Sequence, residues 1–153
     1  MRPKNAEIVE IVHETPAVRT LRFDLDLDPV PGQYLMVWVR GVDEIPMSIS
    51  YRNGISVQLV GEATRAIFDL EVGESLGLRG PLGNGFSLLG DKILLVGGGV
   101  GAAPLALLGE AASERGMEVT TLLGFRCCDD LLFRERFERI GNLVITTDDG
   151  SEG

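Results

Sequence analysis

The strongest constraint on the fold is the segment KILLVGGGVGAAPLALL, residues 92–108, where a short apolar run enters a glycine-rich turn and an apolar helical pattern follows. In a strand–turn–helix of this kind, missing side chains let a diphosphate approach the backbone. The N–H groups and dipole of the helix then stabilise the diphosphate charge. The alternative is a tight turn that needs positive φ angles and close helix packing, for which two glycines often suffice. The four glycines Gly97, Gly98, Gly99 and Gly101 favour ligand binding.

This segment opens an alternating pattern of strands and helices. We predict strands at 92–97, 118–123 and 143–147 and helices at about 102–115 and 130–139, with Gly116 ending the first helix. Alternating elements with almost fully apolar strands predict a parallel sheet covered on both faces. The second strand ends in Gly124, Phe125 and Arg126, without the acidic residue that commonly binds the ribose of NAD.

The preceding residues follow a different rule. In VRTLRFDLDLD, residues 18–28, apolar and polar side chains alternate with the period of two that is typical of a half-buried strand. Further strands are predicted in QYLMVWV, SISYRN, ISVQLV and ESLGLRG, and only TRAIFDL indicates a helix. Several short strands close together predict a small antiparallel barrel or sandwich. We therefore divide the chain into a barrel domain, residues 1–88, and an α/β domain, residues 89–153.

Composition and charge exclude several classes of function. The net charge of −9 argues against a nucleic acid partner, because phosphate contacts need clustered Lys and Arg. No apolar run has the length of a signal peptide core or a membrane span, so we expect a cytoplasmic protein without membrane association. The only cysteines, Cys127 and Cys128, are neighbours without metal-ligand spacing, so we expect no metal site. The single histidine, His13, is expected on the surface.

Four motifs carry a resemblance that covers essentially the whole chain: IPMSIS (45–50), GPLGNGF (80–86), VGGGVGAAPL (96–105) and TDDGSEG (147–153). Together they resemble the flavin-dependent electron-transfer proteins of the ferredoxin reductase superfamily. More narrowly, the chain is similar to the electron-transfer subunits of NAD-dependent dihydroorotate dehydrogenases. The resemblance implies an antiparallel Greek-key barrel that binds FAD, followed by the N-terminal part of a parallel-sheet domain that binds a nicotinamide dinucleotide.

The implied activity is an NAD(P)H-dependent flavin oxidoreductase. It would relay electrons from NADH through FAD, and in a longer chain through a [2Fe-2S] cluster, to the catalytic subunit of a dihydroorotate dehydrogenase in pyrimidine biosynthesis. Hydride transfer is the chemistry of the cofactors, so no catalytic acid or base is expected, and none is visible. The alternatives are a related reductase subunit with a sulfur or ferredoxin acceptor, and a short flavin-binding or regulatory module without catalysis.

The resemblance also implies site residues. The flavin ring would be lined by Pro46, Met47, Ser48 and Ile49, with Ser48 near the reactive nitrogen. The flavin diphosphate would face Leu59, Val60, Gly61, Ala63 and Thr64. The nicotinamide dinucleotide, taken as NAD(H), would meet Gly98, Gly99, Val100, Gly101 and Asp148. The loop Gly83, Asn84, Gly85 and Phe86 would lie at the junction of the two cofactors.

Two departures from the family pattern change these expectations. Ile45 stands where relatives commonly have a basic residue, which removes a charge-assisted contact to the flavin diphosphate, so FMN is an alternative flavin. Arg52, Arg65 and Arg79 are the candidate substitutes. Family chains also continue beyond the TDDGSEG motif, so the apolar edge of the strand at 92–97 is expected to be exposed or completed by another chain, which predicts an oligomer.

Overall fold

The computed structural model describes all 153 residues, and its first half is a closed antiparallel barrel. The six strands follow the order β1-β2-β5-β4-β3-β6, and a short helix lies between β5 and β6. The elements are β1 (Lys4–Thr15), β2 (Val18–Phe23), β3 (Tyr34–Val39), β4 (Asp43–Tyr51), β5 (Gly54–Gln58), α1 (Glu62–Phe68) and β6 (Ser75–Leu82). The predicted barrel is confirmed.

The first and longest strand of the barrel, β1, was not predicted. Ala6 and Ile8 are buried, but the pairing with β2 shifts register between Ile8 and Glu10, so that Glu10 and Val12 are exposed and Ile11 is half-buried. A register shift of this kind moves apolar residues to the other face, so the alternation that signals a strand is lost. The predicted strand at 18–28 is also shorter than expected, since β2 ends at Phe23.

The second half is a three-stranded parallel sheet with the order β7-β8-β9. Its elements are β7 (Lys92–Gly98), α2 (Ala102–Glu114), β8 (Glu118–Phe125), α3 (Arg134–Glu138) and β9 (Asn142–Thr147), with 3₁₀ turns at Gly99–Gly101 and Cys128–Asp130. Gly116 follows α2 with φ +78°, as a helix-ending glycine does. The predicted helix at 130–139 is reduced to α3 because Phe133 takes a left-handed conformation, φ +62°.

The prediction that helices cover both faces of this sheet is wrong. Both α2 and α3 pack on one face, where Leu95, Leu123 and Ile145 are buried with Phe137. The opposite face exposes four apolar side chains, with exposed fractions of 64% for Leu94, 62% for Val96, 37% for Leu122 and 51% for Val144. We call these four residues the apolar sheet face. The strands are apolar throughout, as predicted, but their second face has no cover within residues 1–153.

Where the barrel and the α/β unit meet, each buries a side chain in the core of the other. Leu107 of α2 is buried in the barrel core, while Val18 of β2 is buried in the core of the α/β unit. The main contact between the two units is α2 against β4. None of the three helices combines the length with the apolar composition that a membrane crossing requires.

The open edge of β7 and the apolar sheet face predict self-association. An unpaired strand edge beside exposed apolar side chains favours pairing with a second copy of the chain. We expect the weight-average mass in sedimentation velocity to rise with protein concentration, and Val96→Lys to abolish the rise. Val42→Lys is the matched control, because Val42 is exposed on the barrel away from this face. A concentration-independent monomer, or equal effects of the two substitutions, would contradict the prediction.

Candidate functional site

A cavity of about 280 Å³ lies between the barrel and the start of α2, and we call it the barrel-side cavity. Its barrel wall comes from β4, β5 and the start of α1, and its other wall comes from the glycine turn and α2. No lining residue is charged. The lining residues are Pro46, Met47, Ser48, Ser56, Gln58, Val60, Thr64, Val100, Gly101, Ala103 and Pro104.

A second cavity of about 290 Å³ lies where β7 and β8 end, and we call it the sheet-end cavity. Ligands of open α/β sheets bind in the crevice beyond the carboxyl ends of the strands, so this is the expected place for a nucleotide. Unlike the first cavity it carries charge. Its lining residues are Thr15, Ala17, Val18, Gln58, Gly99, Gly124, Phe125, Arg126, Asp130 and Asp148.

The two cavities are neighbours, separated by the glycine turn. Gly99 lines the sheet-end cavity, whereas Val100 and Gly101 line the barrel-side cavity. Gln58, the last residue of β5, lines both. The two cavities therefore adjoin at Gln58.

The glycines of the turn serve different purposes. A Cβ on Gly97 would lie 2.7 Å from Leu105 Cδ1, so this position is reserved for helix packing. Gly99 has φ +54°, a conformation that favours glycine. Gly101 has φ −60°, and a Cβ there would meet no atom within 4 Å. Neither conformation nor packing explains Gly101, which lines the barrel-side cavity.

The hydroxyl groups of the barrel-side cavity differ in their availability. Thr64 Oγ1 accepts hydrogen bonds from the N–H groups of Val60 and Gly61, both 2.9 Å, and donates to the Gly61 carbonyl at 3.0 Å. Its hydrogen-bonding capacity is used within the chain, so it shapes the start of α1. Ser48 is exposed on β4, where its hydroxyl remains available to a ligand.

Several residues assigned by resemblance do not line either cavity. The side chain of Ile49 is buried inside the barrel, so only its backbone faces outward. Leu59, Gly61 and Ala63 flank the barrel-side cavity, and Gly98 precedes the turn without lining a cavity.

The loop Gly83, Asn84, Gly85 and Phe86 also lies outside both cavities. The Gln33 side-chain amide donates to the Gly83 carbonyl at 2.9 Å, and the Phe86 N–H donates to the Pro31 carbonyl at 2.8 Å. A Cβ on Gly85 would overlap Val30. These contacts hold the loop against the segment that precedes β3, while the side chain of Phe86 stays exposed.

The three arginines considered as substitutes for a basic residue at position 45 differ in whether they are already paired. Ile45 packs against the barrel core, so no cation replaces the family's basic residue at that position. Arg79 makes a two-pronged ion pair with Glu44, both distances 3.0 Å, and the hydrogen bonds from Arg79 hold the pKa of Glu44 below its usual value. Arg52 pairs with Asp26 and Asp28.

Arg65, next to Thr64 on α1, is the one candidate substitute without a carboxylate partner. The other two, Arg52 and Arg79, are both committed to ion pairs. The lining of the barrel-side cavity is therefore uncharged, and Arg65, the residue after the lining residue Thr64, has no carboxylate partner.

Asp148 is positioned by the turn that follows β9. Its N–H donates to the Phe125 carbonyl at 3.0 Å, which joins the ends of β9 and β8. Within the turn, the hydroxyl and N–H of Ser151 donate to Asp149 Oδ1, and these hydrogen bonds lower the pKa of Asp149. The Ser151 hydroxyl also accepts from the N–H of Cys128 at 2.8 Å. The aspartate-rich motif is thus a pre-formed turn at the sheet-end cavity.

Sequence reasoning missed part of the lining, above all Gln58 and Ser56 on β5. A single polar residue in a strand carries no signal that distinguishes a ligand contact from a solvated side chain. Arg126 carried a signal, since it ends the second strand of the α/β unit where ribose or phosphate recognition is expected. It lies at the rim of the sheet-end cavity, 3.7 Å from Asp130.

The contrast between Gly97 and Gly101 predicts opposite effects of alanine on stability. Gly101→Ala should raise the free energy of unfolding by about 0.5 kcal/mol, because φ −60° suits alanine and the space is open. Gly97→Ala should lower it by about 1 kcal/mol, because Leu105 must shift. Urea unfolding measures both. A loss at Gly101 as large as that at Gly97 would show that Gly101 serves packing.

Comparisons with known proteins agree with this architecture, although no family model matches the chain. The chain is 56% identical to a probable electron transfer subunit of dihydroorotate dehydrogenase B (NAD(+)) from Methanocella arvoryzae. The match covers 100% of this chain and 60% of that protein. The protein of the same description from Methanocaldococcus jannaschii is 47% identical over 99% of this chain and 59% of its own length. The chain therefore spans about three fifths of these relatives.

Solved structures show the same fold. An NADH-dependent reduced ferredoxin-NADP oxidoreductase superimposes with a TM-score of 0.85 at 30% identity, over 97% of this chain and 58% of that one. The FAD/NAD binding domain of a nitric oxide dioxygenase from Vibrio cholerae superimposes with a TM-score of 0.84 at 21% identity. The match covers 100% of this chain and 79% of that one. The chain therefore has the ferredoxin reductase-like fold and is homologous, along its whole length, to the electron transfer subunits of dihydroorotate dehydrogenase B.

Proposed function

We propose that this chain is the flavin-binding and nicotinamide-binding part of an electron transfer subunit. It accepts a hydride from NADH onto a flavin and passes the electrons to the catalytic subunit of a dihydroorotate dehydrogenase. The observation that carries the proposal is the pair of cavities on either side of the glycine turn, which share Gln58. The names of relatives that are 56% and 47% identical support the choice of partner.

In this proposal the barrel-side cavity holds the flavin ring. Bound flavin would supply the redox chemistry, while the protein orients the ring and excludes water. Pro46 and Met47 supply apolar contact from β4, and Val100 closes the cavity from the glycine turn. The Ser48 hydroxyl is the polar group available to the ring edge. The absence of charge in the lining suits a neutral ring system.

The sheet-end cavity holds the nicotinamide dinucleotide in the same proposal. Gly99 lets the dinucleotide approach the backbone, and Phe125 and Val18 provide apolar surface beside Gln58. Asp148 accepts hydrogen bonds from the ligand at the end of the sheet. Arg126 and Asp130 at the rim form a weak ion pair that the ligand's ribose can displace.

The proposal also covers the electron acceptor and the iron–sulfur cluster. A ferredoxin-type acceptor is the alternative, supported by the fold similarity to a ferredoxin-NADP oxidoreductase. The proposal assigns no iron–sulfur cluster to residues 1–153, because the only cysteines are Cys127 and Cys128 and a [2Fe-2S] cluster takes four ligands. In this proposal the apolar sheet face and the open β7 edge are surfaces of association.

A visible absorbance spectrum tests the proposal directly. The purified chain is mixed with excess FAD, passed through gel filtration and then given NADH without air. We expect retained flavin absorbance that NADH bleaches, because both cavities are formed within residues 1–153. Retained absorbance that resists NADH would contradict the nicotinamide site, and no retained flavin would favour a module without catalysis. A parallel experiment with FMN separates the two flavins.

Arg65 is expected to contribute to the binding of the flavin phosphates. Arg65→Gln should raise the Kd for FAD about tenfold, which corresponds to about 1.4 kcal/mol for one charge-assisted contact. The Kd for riboflavin, which has no phosphate, should not change. Arg52→Gln is the matched control, because Arg52 is held by Asp26 and Asp28. Equal losses for FAD and riboflavin, or no loss for either, would exclude this role.

A further inference from the structure

One buried charge joins the barrel to the α/β unit, and neither cofactor site uses it. Arg136 of α3 is 9% exposed. Its Nε and Nη2 atoms donate to the two carboxylate oxygens of Glu110 on α2 at 2.8 and 2.9 Å. The same Nη2 donates to the Ser50 carbonyl of β4 at 2.9 Å. The guanidinium therefore bonds both units at once.

Aromatic rings complete the surroundings of Arg136. Its Cζ atom lies 3.8 Å from the ring centroid of Tyr51 and 4.5 Å from that of Phe133. The two rings meet edge to face at 5.8 Å. Phe133 holds φ +62°, which is costly for a bulky residue and is sustained here by this packing. Burial also raises the pKa of the Tyr51 hydroxyl.

The contacts of Arg136 lead to the barrel-side cavity through a buried chain of hydroxyls. Ser50, whose carbonyl accepts from Arg136, also places its Oγ 2.9 Å from Ser56 Oγ. Ser56 is in turn 2.8 Å from Thr20 Oγ1, and it lines the cavity. Ser50 lies two residues from Ser48 on the same strand. A shift of α3 would therefore move the wall of the cavity.

We infer that Arg136 is a positioning residue that fixes the angle between the barrel and the α/β unit. Apolar burial of Leu107 and Val18 holds the units together, but it has no directional preference and permits sliding. The two-pronged bond to Glu110 and the bond to the Ser50 carbonyl are directional. They hold α2, which follows the glycine turn, against β4, and so keep the two cavities aligned. The kinetic part of this inference rests on the proposed function.

The test replaces the ion pair by apolar side chains in the double variant Glu110→Met/Arg136→Met. Replacing a buried pair in this way often leaves stability unchanged or higher, so the variant is expected to fold with an unchanged or raised Tm. The limiting rate of flavin reduction by NADH should fall about tenfold or more, because small misplacements of reacting groups slow transfer steeply. The KM for NADH and the Kd for FAD should change less than about threefold.

Amide hydrogen exchange of the flavin-free protein gives a second readout. Peptides covering residues 48–51 and 99–104 should exchange about tenfold faster in the double variant, because these segments form the facing walls of the cavity. Peptides from β1 should not change. The control is Glu135→Gln/Arg139→Gln. It removes an exposed ion pair, 3.6 Å between Arg139 Nη2 and Glu135 Oε2, from α3 and the residue that follows it. It should leave exchange and rate at the wild-type values.

Each outcome decides the inference. Unchanged exchange at the cavity walls overturns it, and so does faster exchange with an unchanged rate of flavin reduction. If the wild-type chain itself does not respond to NADH, the proposed function fails, and the exchange result alone decides the role of Arg136. If the double variant does not fold, Arg136→Lys replaces it, because lysine keeps the charge but cannot make the two-pronged contact. The same faster exchange is then expected.

Discussion

The seam between the barrel and the α/β unit is the constraint on which the candidate site depends. Each unit places one residue in the other's core, Leu107 in the barrel and Val18 in the α/β unit. Apolar exchange of this kind supplies most of the attraction, since it is proportional to the area removed from water. Both cavities open along this seam, so their shapes depend on how the units are held rather than on either unit alone.

The site shows how one glycine-rich turn can combine structural and ligand-related requirements. Gly97 admits Leu105, Gly99 supplies a left-handed residue, and Gly101 leaves space that nothing in the chain fills. Composition alone cannot separate these roles, because each is met by the same missing side chain. The structure separates them through φ and through the neighbours that a Cβ would meet. In the proposed function, ligand access would therefore depend on Gly101 and not on the number of glycines in the motif.

Much of the fold follows from the sequence because apolar runs bounded by glycine define β7, α2 and β8 almost to the residue. The bulged strand β1 did not follow, since the shift after Ile8 destroys its alternation. The short helix α3 did not follow either, because the backbone conformation of Phe133 depends on tertiary packing. Nine of the site residues that were assigned by motif resemblance line one of the two cavities. Gln58 was not assigned, because no local sequence pattern marks it as a ligand contact.

Charge explains why recognition in this protein has to be local. The chain carries a net charge of −9, and a diffuse field of that sign repels phosphate groups. Two of the acidic side chains are held in ion pairs outside the lining of either cavity, Glu44 with Arg79 and Asp26 with Arg52. These ion pairs commit Arg79 and Arg52 to carboxylates within the chain, so neither arginine is free to bind a phosphate. In the proposed function, phosphates would therefore be held by backbone N–H groups and by Arg65, while the uncharged wall around Ser48 would receive the ring.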